Sequence, residues 1–303
     1  MDNNIQGWIN LYKPKNITSF FALKKIKKKF NIHKLGHAGT LDPLAEGILP
    51  IALGKTTKLI PFVSNRSKKY IFTIKWGEQS STDDKEGKIT NKSNIIPDEN
   101  SINNAIKKFK GIKKQIPPLA SATKVNGHRA YSLLRNKKNF ILQAKEVFLK
   151  EIKLINCFTN KTATFEIECG KGYYVRSLAR DLANSLNTFG HIIDLKRTKV
   201  GFFDNKSSIL LDDLLKIRQT DFEFNCIHSS MSVLDDILAY EIEEEEDITN
   251  LSFGKSIKIN KSLLIKPSLN SEDKNIVFLS QKGKVISFGK LDGDLFKPIK
   301  ILI

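Results

Sequence analysis

The segment KKYIFTIKWG sets the strongest limit on the fold: its apolar side chains alternate from Tyr70 to Trp76, the two-residue period of a strand with one buried face. From Lys145 to Glu168, KEVFLKEIKLINCF and TATFEIEC read as two more strands, joined by the polar turn TNK. HIIDLKRTKVGFF also has strand character. Helical spacing interrupts these runs at irregular intervals. TSFFALKKIKKKFN offers Thr18 or Ser19 as N-cap and apolar residues at Phe21, Leu23, Ile26 and Phe30, with its lysines on a solvated face. SINNAIKKFKG reads as a helix closed by Gly111, and YYVRSLARDLANSLN places Val175, Leu178, Ala179, Leu182 and Leu186 at helical spacing. Irregular alternation with hairpin-like connections predicts an α+β fold with a mixed, largely antiparallel sheet and flanking helices, not a regular βαβ winding.

The 303 residues suffice for a main domain with a small appendage. The acidic run EIEEEED, Glu241 to Asp247, breaks a basic texture, and short apolar strands such as NIVFLS and KVISFGKL follow it. This predicts a main domain over residues 1–240 and a small, mostly β module over 241–303. Between Gln115 and Val147, a double proline, small residues, a glycine turn and basic residues read either as a projecting basic loop or as a surface excursion.

Lys and Arg number 50 against 32 Asp and Glu, a formal net charge of +18 that favours a polyanionic partner such as nucleic acid. Only seven of the 50 are arginine, so each marks a place where a planar, permanently charged fork was kept in a lysine-rich chain. Apolar runs are too short for a membrane span, and the N-terminal stretch lacks the pattern of a secretory signal, so the expected location is cytoplasmic. Cys157, Cys169 and Cys226 form no C-x-x-C pair, which argues against a disulfide framework or zinc knuckle.

Three near-matches fail. Gly54, Lys55 and Thr56 supply half of a P-loop, but Leu49 occupies the position of its first glycine. His33 and His37 have metal-ligand spacing on a helix that Gly36 and Gly39 disfavour, so no metal is expected. KGYYV has the opening of an RNA-recognition strand without the aromatic positions beyond it.

GHAGTLDPLAEGILPIALGKTTK, Gly36 to Lys58, is different. Asp42 precedes a proline and is biased to extended or turn backbone, while Gly36, Gly39 and Gly47 permit close approach by another molecule. By these residues alone, Asp42 is either a turn residue bonding neighbouring amides or a carboxylate held at a cleft as nucleophile or base.

This segment resembles the signature of the bacterial tRNA pseudouridine synthase B (TruB) family. GWINLYKPKNITSF, KKYIFTIKWGEQSSTDDKEG, GIKKQIPPLASATKVNGHRAYSLLR, KGYYVRSLARDLA and HIIDLKRTKVGFF follow in the family's order, covering about Gly7 to Phe203. The resemblance implies a pseudouridine-synthase-type sheet and isomerisation of uridine at position 55 in the T-arm loop of tRNA. That isomerisation involves no net redox change and needs no cofactor, and nothing in the sequence requires an obligate protein partner or more than a monomer. The resemblance also implies that residues 115–147 are an RNA-gripping insertion, and that 241–303 form a PUA-like RNA-binding module. Asp42 takes the place of the catalytic aspartate, Tyr70 that of the tyrosine stacking on the target base, and Arg176 that of the arginine pairing with the aspartate. His37 matches a histidine at the site entrance that takes part in base flipping, Leu195 a leucine near the target base, and Lys13, with Pro14, the N-terminal lysine-proline. Tyr12 stands where an acidic residue is common, and Asn16 where glycine is common. A guanidinium beside Asp42 is expected to keep its pKa low despite burial. Glu46 reads as a surface carboxylate.

Overall fold

A computed structural model describes residues 5–158, 161–222, 226–265 and 275–303. The first four residues, and Thr159 and Asn160 of the TNK turn, lie outside the described residues. Among the described residues, the larger sheet has ten strands. In chain order they are β1 (Gly7–Lys13), β2 (Leu35–His37), β3 (Glu46–Leu53), β4 (Lys68–Trp76), β5 (Gly111–Gln115), β6 (Lys145–Phe158), β7 (Thr162–Cys169), β8 (Gly190–Val200), β9 (Phe203–Asp204) and β10 (Ile209–Leu210). The main path runs β10-β1-β3-β8-β4-β7-β6-β5, with β2 on β3 and β9 on β8. Only β1/β10 and β3/β8 are parallel. The sheet is therefore mixed and largely antiparallel.

Alternation on β4 buries Tyr70, Phe72, Ile74 and Trp76, and β7 presents Ala163, Phe165 and Ile167 beside them. Phe72 stacks on Phe165 at a centroid distance of 5.3 Å. Against this face packs the helix Val175–Ser185, which buries Val175, Leu178, Ala179, Leu182 and Ala183. Burial of Val175, Leu178 and Leu182 contributes roughly 1.5–3 kcal/mol each relative to exposure, and each alanine methyl about half the lower figure. This packing fixes where the helix's first turn emerges over the sheet.

The helix α1 (Ser19–Phe30) starts as expected: Thr18 Oγ1 accepts a hydrogen bond from Phe21 N at 3.0 Å, and Asn31 ends it in left-handed conformation. Its buried side differs from the sequence expectation. Ser19, Ala22, Ile26 and Phe30 face inward, Phe21 is exposed and Leu23 half-buried. The reason is phase, because the Ser19 hydroxyl bonds Leu41 and turns that side of the helix to the core. The helix Glu99–Lys107 ends at Lys108, and Gly111, at φ +89°, opens β5 instead of closing the helix.

A second sheet has five strands, Leu238–Glu241, Ile257–Lys258, Ile276–Gln281, Lys284–Asp292 and Leu295–Ile301. Part of the acidic run forms the helix Glu245–Ser252, with Glu245, Glu246 and Asp247 at the end where the helix dipole favours anions. Phe278 and Phe288 of this sheet share one core cluster with Trp8, Ile48 and Ala52 of the larger sheet, so the two sheets are joined by apolar packing. No described helix is long and apolar enough to cross a membrane.

Candidate active site

Asp42 lies in the loop between β2 and β3, and several contacts hold that loop. The Ser19 hydroxyl donates to Leu41 O at 3.0 Å and accepts from Leu41 N at 2.9 Å. Asn16 N donates to Pro43 O at 2.8 Å. Asn16 has φ +65°, a left-handed conformation that asparagine tolerates, so it serves where glycine is common. Arg197, 1% exposed, donates from Nε to Ile48 O at 2.7 Å and from Nη2 to Gly39 O at 2.9 Å. Gly47, at φ +111°, is required here, because a Cβ would lie 2.1 Å from Arg197 O.

Arg176 Nε lies 2.9 Å from Asp42 Oδ2. The arginine sits in the first turn of its helix, the end that disfavours cations, and two carboxylates account for its placement. Nη1 donates to Asp84 Oδ2 at 3.2 Å and to Thr82 O at 3.1 Å, while Nη2 donates to Ala120 O at 3.1 Å. Asp84 also accepts from Thr82 Oγ1 at 2.6 Å and from Glu86 N at 3.0 Å. One helical turn after Arg176, Arg180 pairs with Asp83 at 2.9 Å and donates to Ile116 O at 2.8 Å. Asp83, Asp84 and Arg180 were not singled out from sequence. The sequence marks Arg180 as one of only seven arginines and Asp83 and Asp84 as adjacent acids, and neither signal carries information on distance.

The electrostatics depart from expectation. Burial raises the Asp42 pKa, Arg176 pulls it down and Asp84 pushes it up, with a net rise instead of the low value expected. Arg176 divides its charge between two acids, which leaves burial dominant. Burial also lowers Lys13 to about 8, with Asp42 opposing that fall; its Nζ donates to Pro14 O and Ile17 O at 2.8 Å. Tyr70 is raised by burial, and Arg197 opposes the rise.

A cavity of about 330 Å³ opens over these groups, lined by Asp42, Tyr70, Arg176 and Leu195 together with Lys68, Lys171 and Tyr173. Strand register brings them together: on β8, Leu195 pairs with Phe72 and Arg197 with Tyr70. About one third of the Asp42 side chain is exposed. The start of the 115–147 segment borders the site, since Ala122 lines the cavity and Gln115 exchanges hydrogen bonds with the Tyr174 backbone at 2.9 and 3.1 Å. Lys13 and His37 do not line the cavity. His37 is half-buried, its pKa lowered first by burial and then by Arg197, and Nδ1 has no hydrogen-bond partner among the described residues. Glu46 is half-buried rather than a free surface group, and it interacts with Tyr12 and Lys13. Lys196 Nζ lies 5.4 Å from the Tyr12 ring centroid.

Residues 27–175 match the model of the TruB family pseudouridylate synthase N-terminal domain, and residues 176–247 match that of the tRNA pseudouridylate synthase B C-terminal domain. The chain is 38% identical to a tRNA pseudouridine synthase B of Ehrlichia ruminantium (strain Gardel), covering 97% of this chain and 98% of that one. It is 48% identical to a tRNA pseudouridine synthase B of Wolbachia pipientis subsp. Culex pipiens, over 74% of this chain and 64% of the other. A chain in the crystal structure of a Cbf5-Nop10-Gar1 complex superposes with a TM-score of 0.73 at 22% identity, covering 98% of this chain and 85% of that one. That last likeness concerns the fold.

Proposed function

This chain belongs to the TruB family of pseudouridylate synthases, which isomerise uridine to pseudouridine in tRNA, and from that premise we propose that Asp42 carries the reaction on the uridine at position 55 of the T-arm loop. The observation that carries the proposal is the Asp42 carboxylate at the wall of a 330 Å³ cavity, 2.9 Å from a buried guanidinium and with Tyr70 in the same lining. The volume suits one extruded nucleoside, not a duplex.

The reaction is an internal rearrangement. The bond from ribose C1′ to uracil N1 breaks, the base turns, C1′ bonds to C5, and the C5 proton is lost as N1 gains one. Electrons balance without an oxidant, and the proposed reaction draws on no cofactor. Asp42 acts either by attack on the ribose or base or by abstracting a proton, and each route begins from the ionised carboxylate. Arg176 orients that carboxylate and favours its charged form. Tyr70 receives the flipped base on its ring, and Leu195 supplies apolar contact. His37 acts at the entrance during flipping. Lys13, near enough to interact with Asp42, adds positive potential behind it.

Residues 115–147 are proposed to grip the RNA, and the module over 241–303 to bind it away from the catalytic domain, 1–240. The protein is proposed to act as a cytoplasmic monomer without an obligate protein partner. Mapping pseudouridine in unmodified tRNA transcripts tests the central claim. Wild type is expected to modify the T-arm uridine, and Asp42→Asn to leave it unmodified while still binding tRNA. Equal product from both proteins would overturn the assignment of Asp42.

A further inference from the structure

Phe20 and Phe21 open α1 with 75% and 45% of their surfaces exposed. The fold has no packing use for either at this level of exposure, because Ser19, Ala22, Ile26 and Phe30 form the buried side. Two adjacent aromatic side chains this exposed offer ring surface to a partner. Their place is informative. Ser19, the residue before them, exchanges two hydrogen bonds with Leu41, which adjoins Asp42 and lines the same cavity. Phe20 and Phe21 therefore follow directly, along the helix, the residue that fastens the Asp42 loop.

The following turns are cationic. Lys24, Lys25 and Lys28 are exposed, and i,i+4 spacing sets Lys24 beside Phe20 and Lys25 beside Phe21. Lys25 Nζ lies over one face of the Phe21 ring, 5.2 Å from its centroid, which leaves the opposite face for a stacking partner. Aromatic faces bordered by ammonium groups fit unpaired nucleotides, whose bases stack without sequence preference while their phosphates take the cations. Paired bases have their faces covered. A second copy of this chain would bring the same lysines against these, in a protein of net charge +18.

We propose that Phe20 and Phe21 form a stacking platform for an unpaired tRNA base neighbouring the extruded uridine, with Lys24 and Lys25 holding the adjoining phosphates. This rests on the reading that the Asp42 cavity receives that uridine, and it adds the part of the enzyme that holds the flank of the target.

The test compares Phe20→Ala, Phe21→Ala and the double variant for tRNA modification, with thermal unfolding to verify the fold. Removing each ring is expected to raise KM about tenfold and to leave the slope of log K against log salt unchanged. Lys24→Ala or Lys25→Ala is expected to reduce that slope by about one. A Phe20→Trp protein is expected to keep the wild-type KM, and tRNA is expected to quench the emission of its exposed indole; native Trp8 and Trp76 are buried. The same quenching measured in a protein that also carries Asp42→Asn separates the platform from the chemistry, since failure of the Asp42 assignment leaves the quenching in place. A wild-type KM in the folded double variant, or indole emission in the Phe20→Trp protein that is indifferent to saturating tRNA, overturns the proposal. Self-association of the wild type that the double variant lacks, with KM unchanged, overturns it in favour of a contact between copies.

Discussion

Arg176 bonds Asp84 at 3.2 Å through Nη1 while its Nε lies 2.9 Å from Asp42. One buried guanidinium thus serves two carboxylates that belong to different loops. Asp84, almost fully buried, relies on it for charge balance, whereas Asp42 borders the cavity.

Replacing the fork should therefore damage both fold and chemistry. Arg176→Ala leaves Asp84 buried without its guanidinium and is expected to destabilise the protein by about 3 kcal/mol or more, measured by urea unfolding. Arg176→Lys offers one point charge where three bonding directions are in use, and should lower kcat by about a hundredfold or more with a smaller stability loss. Near-wild-type kcat in Arg176→Lys would count against the bridging role.

Asp42 has a raised pKa, so the acid limb of kcat/KM should lie above the ordinary carboxylate range near 3.8. Asp84→Asn removes a neighbouring negative charge and is expected to shift that limb to lower pH. The sign for stability is opposite to that of a salt-bridged acid. A carboxyl whose folded pKa is raised stabilises the fold most at low pH, and that contribution is lost as pH rises from the unfolded value through the folded one. At neutral pH, Asp42→Asn should then unfold at no lower urea concentration than wild type.

Lys13, fully buried and lowered to about 8 from 10.5, gives a separate signature. Between those values the unfolded chain binds the proton and the folded one does not, so this lysine makes stability rise with pH across that window. In Lys13→Met the rise should be reduced, read from urea midpoints at pH 8 and pH 10. An unchanged rise would place the effect elsewhere.

Gly47→Ala tests the seat of the Asp42 loop. The added Cβ would stand 2.1 Å from Arg197 O at a backbone angle that L residues rarely adopt. A loss of about 2 kcal/mol or more is expected, together with lowered activity, because Arg197 also bonds Gly39. Gly111→Ala, with open space around its Cβ position, should cost less in activity.

Local order was legible in the amino-acid sequence wherever one face of an element carries the pattern. Alternation from Tyr70 to Trp76 lies within a strand of 68–76, and the spacing from Val175 lies within a helix. The proline after Asp42 and the glycines around it marked an irregular loop, since they restrict or free the backbone whatever lies nearby. Charge pointed to a polyanionic partner, irregular alternation of elements to a fold with no regular βαβ winding, and the family resemblance of the motifs to a tRNA isomerase. The outward turn of Phe21 was not legible, because Ser19 sets the phase of α1 through Leu41, a residue outside the helix. Nor were Asp83 and Asp84 as partners of Arg180 and Arg176, because those pairs join positions more than ninety residues apart. The direction of the Asp42 pKa depended on the same closure: a guanidinium lowers it, but burial and a second carboxylate enter only when the chain folds. Periodicity and backbone chemistry act along the chain and can be read there; charge balance and exposure are sums over neighbours in space, and the tertiary structure decides who those neighbours are.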